Sequence, residues 1–300
     1  MFVKIVVILQ PLRLKILMER RVIVMVLVSA VLLFSCNGRQ QQSADMSSAD
    51  STETDTQAAD TMPEDSMELL ITETPMPQAA DELFDDFLFN FVANKKLQME
   101  RVAFPLTTTR NGDTTAVKKE EWQMERLFMR QGYYTLLFGS KGEMALMNDT
   151  SLTEATVEKI YFNTGAVIQY QFHKIRGAWM LTRMDTQSIT ANQNASFLEF
   201  YHKFVCDTVF QCEHLESSVQ FVGPDPDDDF EQMEGILTPD TWLAFAPELP
   251  DKMIYNIVYG KRPSRTNRMI FVLRGIANGL EMELIFNRHG DTWKLSKMTT

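Results

Sequence analysis

The sequence predicts an α+β protein with two tandem cone-like domains, each with N-terminal helices packed on a curved antiparallel sheet. Three observations carry this: aromatic residues at helical spacing open each half, long strands with period-two alternation follow, and the whole pattern recurs about 113 residues later.

Phe84, Phe87 and Phe91 stand at i, i+3 and i+7, one stripe of a helix, with Asp81 as the expected N-cap. Phe197, Phe200 and Phe204 repeat the stripe. Farther on, Ala166, Ile168, Tyr170 and Phe172 point one way along a strand while Gln169, Gln171 and His173 point the other. Leu280, Met282, Leu284 and Phe286 are expected inside in the same manner, against Glu281, Glu283 and Asn287. Asn111-Gly112, Gly177 and His289-Gly290-Asp291 supply hairpin turns. Between helix and late strands, Trp122 has a counterpart in Trp242, and Tyr134–Gly139 (YTLLFG) in Tyr255–Gly260 (YNIVYG). Phe172, Trp179, Leu181, Met184 and Thr186 return as Phe286, Trp293, Leu295, Met298 and Thr300. Order is kept and only loop lengths differ, which is the signature of duplication. The expected domains are 81–190 and 194–300.

The first 36 residues read as an address. Val22–Phe34 is a thirteen-residue apolar run behind Arg20 and Arg21, and Ser35-Cys36 follows. That is shorter than the ~20 residues a membrane span needs. Leu33-Phe34-Ser35-Cys36 resembles a bacterial lipobox, which makes Cys36 the expected lipid attachment point after cleavage on its amino side. Met18 opens a compact signal and is the expected true start. Residues 37–80 are Ser, Thr, Gln, Ala and Asp with a net charge of −8, too poor in apolar groups to offset ordering, so they read as a disordered acidic tether. Ser51, Thr61 and Ser66 follow Asp there in a pattern similar to an O-glycosylation sequon. The expected location is the cell envelope, lipid-anchored to the outer membrane and on its periplasmic side.

The run Phe84–Leu106, the Tyr133–Phe138 strand and Gly177–Leu181 (GAWML) resemble a family of Bacteroidetes lipoproteins catalogued as a domain of unknown function. That resemblance implies a nuclear transport factor 2-like (cystatin-like) cone and an envelope address, and implies no activity.

No chemistry is legible. The formal net charge of −11 offers no basic face for a phosphate backbone, so nucleic acid is not an expected partner. No cofactor or metal motif is present: the acidic run Asp225–Glu234 lacks the Gly and Glu positions of a calcium loop, and His173, His202, His214 and His289 are scattered. Cys206 and Cys212 would lie about 9 Å apart on a continuous helix, too far for a disulfide, so both are expected as buried thiols unless the helix ends near Thr208. Nineteen methionines indicate plastic cores. If a cone holds a ligand, Trp122, Tyr134, Trp242 and Tyr255 are the residues expected to touch it. The expected function is non-catalytic binding of a small apolar ligand or an envelope protein, with a natural site in the inter-domain groove near Ala191–Ser196. The alternatives are an isomerase- or dehydratase-type enzyme and a structural spacer. An enzyme would need a buried carboxylate or His within about 3 Å of a Tyr hydroxyl, open to a cavity; the inward strand positions read as apolar, with no base facing Tyr134 or Tyr255.

Overall fold

Each half of the molecule begins with a broken helix. In this computed structural model, which describes residues 81–110, 112–225, 231–261 and 266–300, helix α1 (Phe84–Ala93) stops at Asn94 and α2 (Lys95–Arg101) restarts behind it. Asn94 leaves helical geometry and its side chain accepts from the Leu97 N–H at 3.0 Å, capping α2. After a short α3 (Lys141–Ala145), Asp207 does the same between α4 (Ala195–Cys206) and α5 (Thr208–Glu213), accepting from the Val209 and Phe210 N–H groups at 2.9 and 3.1 Å. Asp81 does not cap α1, whose N-cap is Leu83. Its carboxylate instead takes two nitrogens of Arg101, at 2.7 and 2.9 Å, and the Trp179 N–H. Because the second helix also breaks, Cys206 sits at a helix end and is exposed, and Cys212 is half-buried; both are free thiols, but neither is buried as expected. Cys36, Ser51, Thr61 and Ser66, like the rest of the leader and tether, lie outside the described residues.

Among the described residues, twelve strands form two six-stranded sheets. The first runs β2(Asp113–Val117)–β1(Val102–Arg110)–β6(Ala178–Ser188)–β5(Ala166–Ile175)–β4(Glu154–Tyr161)–β9(Met253–Tyr259). The second runs β3(Tyr133–Phe138)–β10(Arg268–Gly275)–β11(Glu281–His289)–β12(Thr292–Thr299)–β7(Leu215–Pro224)–β8(Gln232–Leu237). Pairing is antiparallel except for β1–β6 and β7–β12, which are parallel. Adding six to a strand number converts one order into the other, which is the duplication seen as topology. Two strands have changed places, however. The YTLLFG strand β3 pairs with β10, and the YNIVYG strand β9 pairs with β4, so the sheets do not follow a division at residues 190–194. Both repeats lie in one compact unit.

The exchanged strands cross and bond to each other through equivalent residues. Thr135 donates to the Tyr255 carbonyl and accepts from its N–H, while the Asn256 side chain accepts from the Leu137 N–H at 2.9 Å. Each sheet also serves two cores. Phe84, Phe87 and Phe91 pack on Phe172 and Trp179, joined from the other sheet by Ile270, Val272 and Ile285. Phe197, Phe200 and Phe204 pack on Phe286, joined from the first sheet by Ile160, Phe162 and Val167. Tyr170 and Phe172 face inward as expected, as do Met282, Leu284 and Phe286; Leu280 instead precedes β11 and is exposed.

Candidate binding groove between the repeats

A buried carboxylate organises the junction. Glu158, on β4, accepts from the side-chain amides of Asn256 (2.8 Å), Gln169 (2.9 Å) and Asn192 (2.7 Å). Glu158 and Asn256 are fully buried and Asn192 nearly so; three neutral donors fill the lone pairs that burial strips of water. Asn192 belongs to the linker between the repeats, and its Oδ1 accepts from the Asn194 N–H at 2.8 Å. The knot thereby ties β4, the exchanged strand β9 and the linker into the start of α4.

Above it opens a groove of about 410 Å³, lined by Phe162 at the end of β4, Ile189 and Thr190 of the linker, and Ala195, Ser196, Leu198, Glu199, His202 and Lys203 of α4. Leu198 and Phe162 are buried and form an apolar floor. His202 lies flat against Phe162, ring centroids 5.0 Å apart and planes 3° from parallel. Lys203 and Glu199 pair at 3.1 Å on the rim, and both are largely exposed, so the pair is a polar edge rather than a source of stability. A volume of this size with an apolar floor and a polar rim suits a small amphipathic ligand or the side chains of a partner. The linker region Ala191–Ser196 pointed here, and Ala195 and Ser196 line the groove. The sequence did not single out Phe162 or Ile189, and His202 stood only among the four scattered histidines. His202 reads as surface because it stands off the Phe stripe, and only the crossing of repeats brings Phe162 to it.

The four aromatic candidates sit elsewhere. Trp122 and Trp242 play one role in the two repeats: their indole N–H groups donate to Gln98 (3.3 Å) and Gln211 (2.9 Å), which are also 113 residues apart. Trp242 is fully buried, and Trp122 is half-buried beside Phe104. Tyr134 packs on Phe89 and Phe128, and Tyr255 meets Phe128 edge-on. None of the four lines the groove.

Carboxylates do face tyrosines, though from a helix and a loop rather than from the strand positions read as apolar. The Tyr259 hydroxyl donates to Asp85 at 2.7 Å, and Glu125 lies close to Tyr170. Burial pushes the Asp85 carboxyl up to about 6, against the opposing hydrogen bond from Tyr259 and the charge of Arg274. Burial likewise raises Tyr170, with Glu125 adding to the shift, and raises Tyr255. The cavity that Tyr259 lines holds about 20 Å³, room for one water.

The broken helices, the curved six-stranded sheets and the cone cores define an α+β protein of the NTF2-like class. An NTF2-like protein from Bacteroides fragilis NCTC 9343, known from a crystal structure, is 39% identical, with a TM-score of 0.67 over 75% of this chain and 98% of that one. The family model "Domain of unknown function (DUF4348)" matches residues 63–300, and the chain belongs to that family. A search of curated proteins finds no match.

Proposed function

We propose that this chain is a membrane-anchored envelope lipoprotein that acts by binding rather than catalysis, and that its ligand or partner seats in the groove between Phe162, Ile189 and α4. The supporting observation is the contrast in volume: about 410 Å³ with an apolar floor in the groove, against about 20 Å³ in the cavity lined by Tyr259. Filling the groove is the direct test. Ala195→Trp should abolish binding of an amphipathic fluorescent probe such as anilinonaphthalene sulfonate while circular dichroism stays unchanged. Undiminished probe binding by that variant would remove the groove from consideration.

The anchor is tested separately. Radiolabelled palmitate should enter the wild-type chain and not Cys36→Ala, and the folded part should resist protease added to intact cells if it faces the periplasm. The glycan reading of Ser51, Thr61 and Ser66 expects hexose-type mass on the native tether peptide. A second reading, an isomerase- or dehydratase-type enzyme on a small apolar substrate, draws support from the Asp85–Tyr259 pair. It requires that pair to reach a substrate-sized space, which a cavity of about 20 Å³ does not offer.

A further inference from the structure

We propose that the free edge of β8 is a docking strand for an extended partner segment that alternates basic and apolar residues, adding to the second sheet as a further strand. This surface is separate from the groove and its test does not depend on it.

Among the described residues strand β8 is outermost in its sheet, and every residue from Gln232 to Ile236 is exposed. An edge strand presents a row of backbone N–H and C=O groups that another chain can pair with, and proteins usually blunt such edges with Lys, Pro or very short strands. Here the strand is six residues long, Gln-Met-Glu-Gly-Ile-Leu, with neither Lys nor Pro. Its apolar side chains serve both faces. Met233 lies on the face of Leu237, which enters the core, and Ile236 lies on the opposite one. Leu243 and Phe245, from the segment that follows, are each more than half exposed, and Phe245 reaches Phe221 of β7 with centroids 6.1 Å apart. The equivalent edge of the first repeat, β2, is Asp-Thr-Thr-Ala-Val and shows no exposed large hydrophobic residue. The feature is therefore particular to the second repeat, not a habit of the fold.

Charge selects the occupant. From Phe204 to Asp251 the chain carries twelve Asp/Glu and no Lys or Arg. A second copy of this chain would bring Glu231 and Glu234 against the same residues, and an anionic lipid surface would be repelled by them. A strand with Lys or Arg on one face and Val, Ile or Leu on the other meets both demands: backbone pairing and apolar contact hold it, and charge steers it.

The probe is a labelled peptide of about ten residues alternating Lys and Val, long enough for a typical strand, with a Glu–Val peptide as control. Fluorescence anisotropy with the full chain in detergent should show saturable binding of the Lys–Val peptide that weakens with salt, and none of the control. Hydrogen exchange should slow at 232–237 on peptide addition. Ile236→Lys, and independently Met233→Lys, should each weaken binding by roughly tenfold, and Gly235→Pro should do so by breaking the edge. Several outcomes overturn the proposal: equal binding of the acidic control, protection outside β8, affinity unchanged in both Lys variants, or a salt-insensitive dimer of the chain that Ile236→Lys dissolves. Ile236 and Met233 are surface positions, so their variants keep the test decisive if Gly235→Pro misfolds.

Discussion

The two repeats share a topology yet treat the same place differently. At the offset of 113, the groove residues Leu198, Glu199 and His202 correspond to Asp85, Asp86 and Phe89 in the first repeat. There Phe89 wedges edge-on against Phe128 and Tyr134, with centroids 5.4 and 5.6 Å away, and Asp85 is bonded to Tyr259. The site is closed by packing and a hydrogen bond. In the second repeat the smaller, flatter His202 lies down on Phe162, and the Ile189–Thr190 linker forms a wall. Duplication thus left one copy of the position filled and the other open as a groove, the expected consequence when one copy alone can satisfy the need for a core.

The largest expected effect separates two equivalent tryptophans. Trp242→Ala removes a fully buried indole and strands Gln211, and should cost about 3–5 kcal/mol. Trp122→Ala, at a half-buried site with the same glutamine bond, should cost less than half of that by urea denaturation. Equal losses would mean that the two Trp–Gln pairs are not graded by burial. The knot at Glu158 comes next, since its counterpart in the second repeat is Val272. Glu158→Val leaves three amides without an acceptor and should cost about 2–4 kcal/mol. Adding Asn256→Leu should recover part of it, because one stranded amide goes with its broken bond, less the cost of the Leu137 N–H that loses the Asn256 oxygen. If the double variant is no better than the single one, the knot is not the coupled unit described.

Much of this fold was legible because duplication doubles every signal. The Phe stripes, the alternating strands and the paired tryptophans are local patterns whose physics is complete within a few residues. The break at Asn94 is not legible, although asparagine caps well, because the apolar stripe continues through it; the break at Asp207 enters only as the alternative of a helix ending near Thr208. The exchange of β3 and β9 was beyond sequence reasoning for a different cause: YTLLFG and YNIVYG are so alike that either can occupy either sheet edge. What decides is the three-dimensional path of the connections. The groove inherits that limit, since Phe162 and His202 meet only through the crossing.

Asp85 offers a smaller effect with a defined pH range. Its folded value, about 6, lies above its ordinary 3.8, so the folded state binds its proton more tightly. Its contribution is therefore fully present below about pH 4 and is lost as the pH rises through 6. About 1–3 kcal/mol should disappear over that interval, the lower end allowing for solvent screening. Asp85→Asn should flatten the stability profile between pH 4 and 7. The second repeat carries Leu198 at this position, so no matching step belongs to it. A profile equally steep in the Asn variant would assign the slope to another group.

The smallest expected effect is a gain, and it comes from copying one repeat into the other. Trp293 donates its indole N–H to Ser196 at 3.3 Å. Its counterpart Trp179 is fully buried, and its indole N–H has no acceptor among the described residues. The reason lies in one residue: Ser196 corresponds to Leu83, which offers no oxygen. A buried unpaired donor costs about 1–3 kcal/mol, so the first repeat carries a penalty that the second avoids. Leu83 is also the N-cap of α1, in extended geometry and with no side-chain bond to the helix. Serine is among the best residues there, worth about 0.5–2 kcal/mol over an apolar one. A hydroxyl oxygen has two acceptor sites, so one serine can serve both the indole and the helix end. Against this stands the loss of half-buried Leu83 surface. Leu83→Ser should therefore stabilise the chain by about 1 kcal/mol, and the reverse exchange, Ser196→Leu, should destabilise it by a similar amount. Thermal melts of the two variants decide the matter: opposite shifts support the comparison of the repeats, and parallel losses would show that the leucine packs better than the serine bonds.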